Sequence, residues 1–202
     1  MGGVWERQIA TVRRALEPLL KSSGSQLDDE SFQTFLTEAE AIVNARPLTT
    51  SNLCAADAPE PLTPNHLLTM KERVVLPPPG KFQREDVYAR KWWRRVQYLV
   101  NEFWVRWRRE YVQELQQRQK WVQSKRDIAV GDIVIVKEDD CTRSQWPLGR
   151  VAETYPSDDG SIRKVKLQIA SRELNKDGTR KCSPTFLERP IHKVVLILPS
   201  EQ

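Results

Sequence analysis

Histidine and cysteine are both scarce, at two and three residues in a chain of 202. His66 and His192 lie far apart, which gives little basis for a metal site or a catalytic triad. Cys54, Cys141 and Cys182 are odd in number and follow no CxxC or Cys/His spacing, so neither a disulfide framework nor a zinc site is expected. That usage fits a reducing intracellular compartment. No apolar run approaches a membrane span, and the N-terminus lacks an apolar signal core, so no membrane partner is expected. No internal repeat is visible.

What the chain does have is tryptophan, proline and positive charge: seven Trp, thirteen Pro and a formal net charge of +5. Its length allows one large domain or two small ones. A net charge of this size hints at an anionic partner without establishing one. The chain enters a helical pattern almost directly after Met1-Gly2-Gly3-Val4-Trp5, as though a longer ancestral protein had been cut there.

Ile9, Val12, Leu16 and Leu19 step by three and four, which predicts an amphipathic helix whose last turn is bent or finished at Pro18. After a Ser/Gly connector, Asp28 or Asp29 can cap a second helix. Phe32, Phe35, Leu36, Ala39, Ile42 and Val43 line its apolar face, and Pro47 stops it near Arg46. Residues 47–80 hold seven of the thirteen prolines and read as an extended linker with one helical turn around Pro64 to Met70. From about Gln83 to Arg126 the chain is free of Gly and Pro, with apolar positions Trp92, Val96, Leu99, Phe103, Trp107, Tyr111, Leu115 and Val122. That predicts one long helix, with room for a bend or break. Beyond Arg126 the period changes to short strands: 133–136, 149–155, 162–170 and 194–198, with a hairpin turn at Asp158-Asp159-Gly160. Short strands with polar turns point to a small barrel.

The segment 83–126 carries twelve Lys/Arg against five Asp/Glu, a net +7 that leaves −2 for the rest of the chain. One reading is a solvated face of a core helix with ion pairs one turn apart. The other is a phosphate-tracking surface, on which nearby aromatics such as Trp93 and Trp104 can stack on unpaired bases. The candidate phosphate contacts on this segment are Arg94, Arg95, Arg106, Arg108, Arg109, Lys120, Lys125 and Arg126. In the strand region Arg150 and Lys164 are candidates, within a local set that also includes Arg143, Arg163 and Lys166. Solvated strand faces are the alternative there, since residues 129–198 are nearly balanced in charge.

Gly2-Gly3-Val4-Trp5-Glu6-Arg7 opening a basic helix resembles the end of the catalytic core in integrases of the BEL/Pao group of LTR retrotransposons. Asn44-Ala45-Arg46-Pro47-Leu48-Thr49 and Leu62-Thr63-Pro64-Asn65-His66-Leu67-Leu68 are similar to later core signatures of that family. The stretch from Trp92-Trp93-Arg94-Arg95 through Phe103-Trp104 to Lys120-Trp121 resembles the region after the core. Gly131-Asp132-Ile133-Val134, Trp146-Pro147-Leu148-Gly149-Arg150-Val151, Asp159-Gly160 and Arg189-Pro190-Ile191-His192-Lys193 are similar to its C-terminal, SH3-like barrel.

The resemblance implies an α+β chain. It would comprise a helical remnant of an integrase core (1–46), a proline-rich linker (47–82), a long basic aromatic helix (83–126) and an SH3-like β-barrel (127–202). It further implies that Glu6 holds the place of the last of three catalytic acids, while both aspartates would lie before Met1. Strand transfer at phosphorus uses divalent ions held by converging carboxylates. Glu6 alone is therefore expected to be inactive, with Mg2+ belonging only to a complete integrase and no cofactor expected for this chain. The expected role is DNA binding and architecture in a nuclear integration complex, with self-association or other integrase chains as protein partners. The alternative is a protein-interaction or oligomerisation module in which the aromatic face of the long helix buries against a partner.

Overall fold

A computed structural model describes residues 3–23, 27–49, 61–70, 80–88, 91–122, 127–138, 141–158, 160–169 and 184–200, with backbone only at residues 4 and 117–122. The architecture is α+β. In chain order it comprises α1 (Gly3–Ser23), α2 (Asp29–Val43), α3 (Pro64–Thr69), a 3-10 turn (Arg84–Tyr88), α4 (Trp92–Val122), β1 (Ile133–Val136), β2 (Leu148–Pro156), β3 (Ile162–Ile169), β4 (Thr185–Pro190), a 3-10 turn (Ile191–Lys193) and β5 (Val194–Leu198). Two compact units emerge, Met1–Ala45 with Val75–Glu114, and Arg46–Val74 with Leu115–Gln202. Among the described residues, no helix is long and apolar enough to cross a membrane.

The first unit is helical. α1 runs through Pro18 to Ser23 instead of ending there. A proline removes one backbone donor, and here the ring faces solvent, so the helix continues around the loss. Its buried face is Thr11, Ala15 and Leu19, a strict four-residue stagger, while Ile9, Val12 and Leu16 are half-buried. α2 starts at Asp28, whose carboxylate accepts the Ser31 N–H at 2.8 Å, and ends at Asn44. Phe35, Ala39 and Ile42 are buried, whereas Leu36 is exposed.

The expected long helix begins later than its composition predicts. Residues 84–88 form the 3-10 turn, and α4 starts only at Trp92. Asp86 accounts for the break, because its carboxylate accepts the Gln83 N–H at 2.8 Å and the Arg94 guanidinium, a geometry that folds the chain back before the helix. From Trp92 α4 is continuous for 31 residues. Its buried stripe is Val96, Leu99, Val100, Phe103, Trp104 and Trp107, with Phe103 edge-on to Phe35 at 6.4 Å. The Thr11 hydroxyl donates to Glu114 at 2.8 Å, and Arg14 pairs with Glu110 at 3.1 Å, so α1 and α4 are tied along one edge.

The second unit is built on one antiparallel sheet of order β4-β3-β2-β1-β5. Among the described residues the sheet is open, so the expected barrel closure is not seen. β1, Ile-Val-Ile-Val, is buried along its whole length because both faces are covered. Val134 and Val136 join Val151, Val165, Leu167 and Val194 on one face, while Ile133 and Ile135 join Leu148 and Leu115 on the other. The turn between β2 and β3 places Gly160 at φ +75°, the left-handed geometry that glycine supplies without strain. β4, Thr185–Pro190, was not anticipated from sequence. In the same unit, α3 is capped by Thr63 and His66 and leaves Leu67, Leu68 and Met70 exposed.

Candidate nucleic-acid interface

Regular helix geometry puts Tyr98, Glu102, Val105, Arg106, Arg109 and Gln113 on one side of α4, outside the buried stripe of Val96, Phe103 and Trp107. Arg106 and Arg109 are exposed there, and neither forms an ion pair among the described residues. Partial burial raises the Tyr98 phenol above its ordinary value, with Glu102 adding and Arg84 opposing; Arg106 also opposes it. Two acids, Glu102 and Glu85, and two bases, Arg84 and Arg106, thus act on Tyr98 together.

The other expected contacts sit differently. Arg94 is committed within its own unit, donating from Nε to Asp86 at 2.8 Å and lying 5.9 Å from the Phe82 ring centre. The pair shifts both groups: the Arg94 hydrogen bond lowers the Asp86 carboxyl, and Asp86 raises the guanidinium. Arg95 is half-buried and lies near enough to Asp28 to help lower that carboxyl, after the larger effect of Ser31. Arg108 is half-buried, 5.9 Å from the Trp104 ring centre. Trp104 itself is buried, so it offers no stacking face, whereas Trp93 is half-exposed. Trp92, read as part of the apolar face, is also exposed at its place on the first turn. The Lys120 side chain, Lys125 and Arg126 lie outside the described residues.

The charge excess is also smaller by unit than by segment. The first unit carries thirteen basic and twelve acidic residues, because α2 and its cap are wholly acidic. The second carries nineteen and fifteen. In the second unit, the outer face of β2-β3-β4 is an ionic and aromatic lattice. Lys164 pairs with Glu188 and lies over Tyr155, while Lys166 pairs with Glu153 at 2.8 Å and lies over Phe186. Arg143 is 6% exposed and therefore contributes nothing to a surface patch, contrary to expectation. Arg150 is exposed on β2, and Arg163 is exposed on β3.

Lys137 is a cation that sequence alone did not single out. Partial burial first, and the neighbouring Lys193 ammonium second, hold its pKa below the usual lysine value. Its backbone N–H donates to the Lys193 carbonyl at 2.7 Å, which is what brings two like charges together. An alternation of Val and Lys at 136–137 carries no signal of that juxtaposition.

Glu6 is exposed in the first turn of α1, where an acid favours the helix dipole. Among the described residues, no three of His, Cys, Asp and Glu gather where a metal ion could be held. One carboxylate does not fit the two-ion centre of phosphoryl transfer.

The Asp86–Arg94 pair gives a pH prediction. A carboxyl with a depressed folded pKa contributes stability above its unfolded value and loses it as pH falls through the folded value. Acidification below the ordinary aspartate range is therefore expected to loosen the turn from Phe82 to Tyr88 before the helices melt. Tryptophan emission should report it through Trp93, and Asp86→Asn should abolish the transition. An unchanged transition in that variant would assign it elsewhere.

Taken together, the fold defines an α+β protein with a helical unit and an antiparallel sheet unit, and with cations on one helix face. The chain belongs to a family of unknown function, DUF5641, which it matches over residues 91–197, from the start of α4 through nearly all of β5. No curated protein and no solved structure matches it.

Proposed function

We propose that this chain is the DNA-binding and architectural part of an integrase of the BEL/Pao retrotransposon group. In this reading it lacks a full set of catalytic acids and works in the nucleus beside other integrase chains or copies of itself. The observation that carries the reading is the outward side of α4, where Arg106 and Arg109 stand exposed without an acidic partner among the described residues. Cations so placed can displace counterions from a phosphate backbone. The ordered motifs from Glu6 to Lys193 support the family assignment. The sheet supports an SH3-like reading of the second unit, because its last strand, β5, returns beside β1 after a single 3-10 turn.

A salt titration of duplex DNA binding by the full chain tests the proposal. Binding should weaken steeply with salt, and Arg106→Ala with Arg109→Ala should reduce the slope of log K against log salt by about two. Both side chains are exposed, so the melting temperature should hold. Absence of salt-dependent binding at low ionic strength would overturn the reading.

A further inference from the structure

We propose that the 3-10 turn and the start of α4 form a stacking platform for the unpaired end of a DNA duplex; this rests on the DNA-binding reading above. Three aromatic residues there are exposed far beyond what a core requires: Tyr88 at 77%, Trp92 at 40% and Trp93 at 40%. One of them, Trp93, is held in place. Trp93 meets Phe82 edge-on at 5.5 Å, Phe82 lies under the Arg94 guanidinium, and Asp86 fixes that guanidinium from the turn. A ring face fixed in this way loses little freedom when a ligand lands on it.

The charge around the rings selects the ligand. Residues 80–95 contain six Lys/Arg against two Asp/Glu, and the first turn of α4 carries no acid. Lys81, Arg84 and Lys91 are exposed beside the aromatics, with no ion pair among the described residues. An apolar protein surface seated on the rings would leave those ammonium and guanidinium groups without counter-charges. Within a paired duplex the base faces are already stacked on one another. Unpaired nucleotides offer free base faces for the rings and phosphates for the cations at once.

The test compares two labelled DNAs by fluorescence anisotropy with the full chain. One is a blunt duplex, and the other is the same duplex with a tail of about five unpaired nucleotides, the scale of a small single-strand site. The tail is expected to tighten binding about tenfold and to quench tryptophan emission. Tyr88→Ala, and separately Trp93→Ala, should remove that preference while blunt-duplex affinity stays unchanged, and Trp93→Phe should restore much of it. Should Trp93→Ala fail to fold, Tyr88→Ala and the quenching of the wild-type chain still decide the matter. Equal binding of both DNAs without quenching would overturn this inference and leave the DNA-binding reading standing. Binding of neither at low salt would overturn that reading itself. Concentration-dependent self-association lost in both alanine variants, with no tail preference, would reassign the rings to an interface between copies.

Discussion

Replacing Trp107 with alanine is expected to lower the stability of the helical unit by about 4 kcal/mol, the range for deleting a buried indole. Trp107 is fully buried, stacked on Tyr111 at 5.2 Å with the rings 12° apart, and lies 6.3 Å from Trp104. It continues the stripe of Val96, Val100 and Phe103, so its loss removes both transfer energy and the contacts of the surrounding wall. A urea melt followed by circular dichroism measures the effect. Trp107→Phe keeps most of the apolar volume and should cost under half as much. A shift below about 1 kcal/mol for Trp107→Ala would mean that the stripe is not the core of this unit. The same variant separates packing from recognition. Assayed well below its melting point, it should keep the wild-type salt slope for DNA, because the indole is buried whereas Arg106 and Arg109 are exposed.

That separation was partly legible in the sequence. The three- and four-residue spacing of Val96, Leu99, Phe103 and Trp107 located the buried stripe, because burial follows the helical period. The same rule located α2 and its aspartate cap, and a run of β-branched residues marked β1. β4 escaped because its residues lie half-buried or exposed throughout, and Glu188, Arg189 and Pro190 give no strand signal. Pro190 is tolerable because β4 is hydrogen-bonded on one side only among the described strands. The break before α4 escaped for a different reason. Residues 84–88 have ordinary helical composition, and only the Asp86 side chain, reaching back to Gln83 and forward to Arg94, redirects them.

Candidate contact residues were legible as types but not as states. Arg94 and Lys164 are cations in sequence just as Arg106 and Arg109 are. What distinguishes them is an acid eight residues away for Arg94 and one on the neighbouring strand for Lys164. Thr11 and Glu114 meet across a sequence separation of 103, so no local pattern could reveal that the charged edges of α1 and α4 engage each other. Net charge counted along a segment therefore overstates what a surface presents. Counted by folded unit, the helical part is nearly neutral, and any attraction for phosphate there must come from the few cations left exposed.

Asp132→Ala is expected to destabilise the sheet unit by about 5 kcal/mol, the low end for three lost charge-assisted hydrogen bonds in a buried site. Asp132 is fully buried at the entry to β1. Its Oδ2 accepts the Ala129 N–H at 2.9 Å, and its Oδ1 accepts the Ser200 N–H at 2.8 Å and the Ser200 hydroxyl at 3.1 Å. The carboxylate therefore closes the turn before β1 and ties down the chain just after β5, locking the two paired strands at one end. Gly131 makes that closure possible. Its φ of +94° lies in the region that glycine favours, and an added Cβ would stand 3.1 Å from the Ser200 Cβ. Gly131→Ala should thus cost about 2 kcal/mol through backbone strain and crowding at the same place. Because both residues serve one clasp, removing Ser200 and the two residues beyond it should reproduce part of the Asp132→Ala loss. Combining the truncation with Asp132→Ala should add little to the larger single effect. Thermal melts of the four proteins decide the point, and simple additivity would show that Asp132 acts on something other than the β1–β5 end.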